Sequence, residues 1–96
     1  MNQRELTEAV QGRLPGGSRT DAVRAVDAVL GAIQDAVVSG DSVTISGFGI
    51  FERLVKQPRV ARNPATGERV QVPERAIPRF RAGSKFVSAV KAAHSG

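Results

Sequence analysis

The segment from about Arg53 to Arg75 carries Arg53, Lys56, Arg59 and Arg62 ahead of the tract Asn63-Pro64-Ala65-Thr66-Gly67, and Arg69 just after it. Guanidinium groups stay charged at any physiological pH and fork onto phosphate or carboxylate oxygens, so the chemistry this spacing offers is capture of an oxyanion. Covalent chemistry lacks its parts. The chain has no cysteine and a single histidine, His94, close to its end. A nucleophilic triad or a histidine-rich metal site would hang on that one residue. The carboxylates occur singly, mostly on helix faces, and read as solvated charges. Gly47-Phe48-Gly49 offers a G-x-G, but no third glycine and no Lys-Ser/Thr pair follow, so these glycines read as a turn rather than a phosphate loop. No catalysis, no metal and no cofactor are expected.

Charge follows the same division. Residues 51–96 hold ten basic against three acidic side chains, a net of +7, whereas residues 1–50 hold four against six, a net of −2. The whole chain stands at +5, with a pI near 11.1. A one-sided basic surface of this kind points to a polyanion partner, the plain alternative being a solubilising surface.

These residues need elements to hold them. Leu6, Ala9, Val10 and Leu14 predict a helix over 3–14, ended by Pro15-Gly16-Gly17. Ser18, with Asp21 three residues on, predicts the start of a second helix. Its apolar stripe of Ala22, Val26, Val29, Ile33 and Val37 is widened by Val23, Ala25, Leu30 and Ala36, which predicts burial on two sides; Gly40-Asp41 ends it. Ser42–Ser46 alternates with β-branched residues as a strand, and Gly47-Phe48-Gly49 turns into a second strand from Ile50. Pro58 and Pro73 would break ladder bonds in a central strand, but a lone two-stranded ribbon has only edges, so both argue for a projecting hairpin. Residues 79–81 return as a strand. A last helix starts at Gly83-Ser84, and His94-Ser95-Gly96 reads as a frayed end. With 96 residues and 41% hydrophobic content, one domain is expected, and a domain so small with a projecting arm needs another source of stability. The N-terminus is polar and no apolar run approaches the ~20 residues that span a bilayer, so neither export nor membrane insertion is expected.

In Asn63-Pro64-Ala65-Thr66-Gly67 the proline suits the second position of a turn and Gly67 supplies a positive φ, so the segment reverses a hairpin whose limbs both carry arginine. A slender basic ribbon tipped by a small apolar ring suits a nucleic-acid groove better than a pocket. Phe48, Phe51, Phe80 and Phe86 are all the aromatics; they lie outside the arm among apolar neighbours and read as core rather than as stacking platforms for bases.

Gly47-Phe48, Phe51, Lys56, Arg59, Ala61, Asn63-Pro64 and Thr66 fall at the spacing of a family signature. The chain resembles the bacterial histone-like HU and integration host factor family, closer to HU, in those positions and in element order over nearly its whole length. The resemblance implies an α+β fold: two N-terminal helices, a three-stranded antiparallel sheet extended into a β-hairpin arm, and a short C-terminal helix, in an intertwined dimer with Phe48, Phe51 and Phe80 in the dimer core. The helical dimerisation part would cover about 1–40, the sheet and arm about 41–82, and the last helix about 83–93.

The function implied is non-enzymatic. Such a protein binds double-stranded DNA through the minor groove with little sequence preference, bends and compacts it, and resides in the cytoplasm on the nucleoid. By the resemblance, Pro64 is the intercalating wedge at each arm tip; Arg62 and Asn63 flank it; Lys56, Arg59 and Arg69 contact phosphate and groove, with Arg53 nearer the arm's base and Arg79, Arg81 and Lys85 on the flanks of the body. Ser84 and Val87 stand where lysine is common in the family, which weakens the flank. The partner chain is a second copy or a paralogous subunit. An integration-host-factor-like, sequence-preferring subunit and a basic RNA-binding or ribosome-associated protein are the competing readings, the latter making RNA the polyanion.

Overall fold

Asn2 opens the first helix. Its side-chain oxygen accepts the backbone N–H of Glu5 at 2.9 Å, and the Glu5 carboxylate accepts the N–H of Asn2 at 3.4 Å, a reciprocal cap that satisfies two orphan donors. In this computed structural model, which describes residues 1–95, α1 runs Gln3–Arg13 and stops one residue before the predicted 3–14, because Leu14 is already extended. The second helix, α2, runs Arg19–Val38, and the Ser18 hydroxyl accepts the N–H of Asp21 at 3.1 Å as the spacing predicts. Among the described residues, no helix is long and apolar enough to cross a membrane.

The chain forms two compact units, residues 1–35 and 36–96. In the first, α1 lies along α2, with Gln3 Nε2 donating to Asp27 Oδ1 at 3.2 Å and Arg19 3.6 Å from Glu8. Thr7, Ala22 and Val26 are buried there. The wide stripe predicted to be covered on two sides is covered on only one. Leu6, Val10, Ala25, Val26, Val29 and Leu30 line an open apolar groove, and Val29 and Leu30 stay 58% and 44% exposed.

The second unit is built on three antiparallel strands, β1 (Val43–Ile45), β2 (Gly49–Lys56) and β5 (Arg75–Ala82), in the order β1-β2-β5. At the corner into β2, a Cβ on Gly49 would stand 2.5 Å from both the Arg81 carbonyl and the Phe80 ring, so only glycine lets the strands close here. The returning strand is longer than the predicted 79–81 and includes Pro78, opposite Arg53. Gly83 donates to the Phe48 carbonyl at 2.8 Å, which makes 48/83 a hydrogen-bonded rung. Counting alternate rungs from there, 53/78 falls on a rung without such bonds, so the nitrogen of Pro78 faces the open edge of β5 and costs the ladder nothing.

Beyond this sheet β3 (Arg59–Arg62) and β4 (Arg69–Val72) form the outer ribbon. The arm is therefore two ladders rather than one. Lys56 pairs with Arg75 and Arg59 with Val72, so two residues on each strand intervene and Pro58 stands opposite Pro73. Continued outward, the bond alternation of the sheet would make 58/73 a hydrogen-bonded rung, and two prolines have no N–H to give it. Asn63 donates to the Glu68 carbonyl at 2.8 Å, so counting back from the tip makes 59/72 a bonded rung, one residue out of phase with the sheet.

The last helix, α3, runs Ser84–Ser95, with the Ser95 hydroxyl donating to the Lys91 carbonyl at 2.7 Å. His94 and Ser95 are thus helical rather than frayed, because Ala92 and Ala93 carry the helix past the predicted end near residue 93. Gly96 lies outside the described residues.

Candidate nucleic-acid interface

At the far end of the ribbon, Asn63 builds the tip. Its backbone carbonyl accepts the Gly67 N–H at 2.7 Å, its side-chain oxygen accepts the Ala65 N–H at 2.9 Å, and the Thr66 hydroxyl accepts the Glu68 N–H at 3.3 Å. Gly67 has φ +74, the left-handed conformation that closes the turn and that a side chain would strain. Each of these bonds leaves the Pro64 ring free of any task inside the turn, and the ring is exposed at the apex. The sequence places Asn63 beside the wedge as a contact residue. The structure shows in addition that its carbonyl and side-chain oxygens hold the turn together, leaving the side-chain NH2 to point elsewhere.

Behind the tip, Arg62 stands directly opposite Arg69. Because 63/68 is a hydrogen-bonded rung, 62/69 is of the other kind, in which the strands approach to ~4.5 Å between Cα atoms and side chains lie closest. Like charges so placed are destabilising. A second pair of like charges, Lys56 opposite Arg75, lies inward of the proline pair. In the sequence Arg75 marks only the end of the basic segment; the pairing register sets it opposite Lys56. Among the described residues, Lys56, Arg59, Arg62, Arg69 and Arg75 make no ion pair. Residues 53–75 thus hold six cations against two carboxylates, Glu68 and Glu74, an excess of positive charge, with Val60 and Val70 exposed between the charged positions.

Nearer the body the predicted candidates separate. Arg81 Nε donates to Glu52 Oε2 at 2.7 Å, and Arg79 contacts the same oxygen from Nε at 2.9 Å and Nη2 at 2.7 Å. Arg81, read from the sequence as a flank contact, is thus held by a carboxylate, a clamp that only the 52/79 register discloses. Arg53 Nη1 donates to the Val38 carbonyl at the end of α2, 3.3 Å away. Lys85 lies in the first turn of α3, its Cδ 3.5 Å from where a Cβ on Gly47 would stand, on a cleft that also includes Ser46 and Ser84.

The hydrogen bonds from Arg81 and then Arg79 hold the Glu52 carboxyl below its usual 4.5. A lowered folded-state value means the clamp stabilises fully above that ordinary value and loses its contribution as pH falls through the lower one. Glu52→Gln should therefore be less stable than the parent at pH 7, with the difference in urea midpoint narrowing as pH drops below 4.5. The arginines are about half exposed, so the neutral-pH difference should be small. A difference independent of pH would show that the clamp contributes nothing.

The four phenylalanines gather on the second unit. Phe51 and Phe80 pair across the strands with centroids 4.7 Å apart, and Phe48 lies 5.6 Å from Phe80 and 5.2 Å from Phe86. None alternates with arm cations, and Phe48 and Phe80 remain 44% and 40% exposed in the single chain.

Comparison with known proteins places the chain in a family. The family model described as bacterial DNA-binding protein matches residues 1–91. The chain is 52% identical over 86 residues to DNA-binding protein HU 2 of Streptomyces coelicolor, covering 90% of this chain and 38% of that relative's length. It is 42% identical over 86 residues to integration host factor subunit beta of Azoarcus sp., covering 90% of this chain and 92% of that one. Among solved structures, an Anabaena HU–DNA cocrystal structure superposes with a TM-score of 0.82 at 39% identity, covering 94% of this chain and 97% of that one. From the arm, the sheet and these matches together, the chain belongs to the bacterial DNA-binding protein family of HU and integration host factor.

Proposed function

We propose that this chain is a histone-like architectural protein, without enzymatic activity, that binds duplex DNA with little sequence preference and bends and compacts it. The observation that carries this reading is the pair of opposed arginines, Arg62 and Arg69, set immediately behind an exposed proline on a ribbon whose cations outnumber its two carboxylates, Glu68 and Glu74, and make no ion pair among the described residues. Such a ribbon gains its missing anions from the phosphates lining a groove. Two copies form the working unit, the helices and phenylalanines of each covering those of the other, with residues to about 40 as the dimerisation part and 41–82 as sheet and arm. Each arm follows the minor groove, and Pro64 enters between base pairs, its flat ring bringing no N–H to be desolvated. Unstacking costs a few kcal/mol and is offset by the contacts that bent DNA makes with more basic surface. The protein would act in the cytoplasm, on the nucleoid.

Salt dependence tests the phosphate contacts. Arg59→Ala or Arg62→Ala should reduce the slope of log K against log[salt] by about 0.9 for each phosphate that the arms no longer neutralise, summed over both copies. An unchanged slope removes that residue from the phosphate set.

The relative named integration host factor supports a second reading, in which sequence is selected through DNA deformability. Competition separates the two. A preference above about a hundredfold for one short duplex over scrambled duplexes at fixed salt would establish the sequence-preferring reading.

A further inference from the structure

We propose that Arg53 is a positioning residue that latches the root of the arm to the C-terminal turn of α2, its charge used within the protein and not on DNA. The inference rests on the DNA-binding reading for its functional meaning and on geometry for its substance. At the end of α2, Asp41 donates to the Ala36 carbonyl at 2.9 Å and Gly40 to the Val37 carbonyl at 3.0 Å, with Gly40 at φ +91. These two bonds satisfy two of the last carbonyls, and Arg53 Nη1 takes a third, that of Val38, at 3.3 Å. A cation is favoured at this negative end of the helix. The guanidinium also lies over Gly40, where a Cβ would stand 2.8 Å from Nη2 and 3.2 Å from Cζ. Glycine here serves the turn and leaves room for the arginine.

The position along the sheet explains why a latch is needed. The outermost rung between β1 and β2 is Val43 with Phe51. From Glu52 outward β2 has β5 as its one strand neighbour, and a two-stranded ribbon is marginal by itself. Arg53 is the second residue past that last rung, and its side chain reaches back to the helix at the point where the third strand ends. Its own cross-strand partner, Pro78, brings no charge and no N–H. This contrasts with Arg62 and Arg69, which make no ion pair among the described residues.

Arg53→Met keeps the stem and removes the donors, while Arg53→Lys keeps a donor able to reach the carbonyl. On a nicked duplex labelled at its ends, Arg53→Met should keep the salt slope of the parent while the distribution of end-to-end transfer broadens; Arg53→Lys should narrow it again. The melting temperature should fall by about 2–4 °C for Met, the scale of one exposed hydrogen bond in a domain this size. A slope reduced by about 0.9 per arm with an unchanged transfer distribution would make Arg53 a phosphate contact and overturn the latch. Amide exchange of Leu54–Lys56 in the free protein supplies a readout without DNA. Faster exchange in Arg53→Met supports the latch even if the parent binds no duplex, and unchanged exchange overturns it.

Discussion

Replacing Pro64 by alanine should abolish most of the DNA bending while lowering affinity less than about tenfold. The wedge carries two opposed contributions: unstacking a base step costs a few kcal/mol, and the bend it creates offsets that cost with extra contacts. Removing the ring removes both, so affinity changes little and the bend angle changes greatly. The tip itself should survive. Its hydrogen bonds run from Gly67 to the Asn63 carbonyl, from Ala65 to the Asn63 side chain and from Glu68 to Thr66, and none uses Pro64. The substitution frees the unfolded arm somewhat, an effect of about 0.4–1 kcal/mol. Fluorescence transfer between DNA ends at saturating protein gives the bend, and a salt-matched titration gives the affinity. Equal bending by both proteins would remove Pro64 from the wedge role.

The second large effect concerns assembly. Leu30→Asp should abolish the dimer and the cooperative fold together. Among the described residues of the single chain no large side chain is fully buried, and Val29, Leu30, Phe48 and Phe80 are all partly open. Covering one such side chain contributes about 1.5–3 kcal/mol, and a two-fold interface counts each twice. A carboxylate at Leu30 would forfeit that burial and place a charge in its stead. Sedimentation should give twice 10.1 kDa for the parent at micromolar concentration, with a melting temperature that rises with concentration. A Leu30→Asp chain that sediments as a monomer with the parent's helical content and melting temperature would contradict this.

The order of elements and the arm's tip were legible in the sequence because each rests on local chemistry: Ser18 before Asp21, glycine after α2, Pro64 and Gly67 in a turn. What was not legible depends on register. Arg75 joins the site through its place opposite Lys56, far from it along the chain, and Glu52 meets Arg79 and Arg81 across the same ladder. The resemblance places Arg53 and Arg81 on DNA; within the single chain Arg53 meets a carbonyl and Arg81 a carboxylate, partners that only the fold discloses. Pro58 and Pro73 are rightly read as marks of a ribbon, but only pairing shows that they face each other and interrupt it. Burial of the α2 stripe was overstated for a single chain, since periodicity reports that a face wants covering and not which chain covers it.

Bending of duplex DNA by the arms is open to a direct test. The most direct measurement is energy transfer between the labelled ends of an intact and a nicked duplex as protein is added at fixed salt, with structured RNA as competitor. A rise in transfer is expected on both duplexes, reached at lower protein on the nicked one, with weaker competition by RNA than by unlabelled DNA. Binding without any rise in transfer, or RNA that displaces the protein more effectively than nicked DNA, would contradict it.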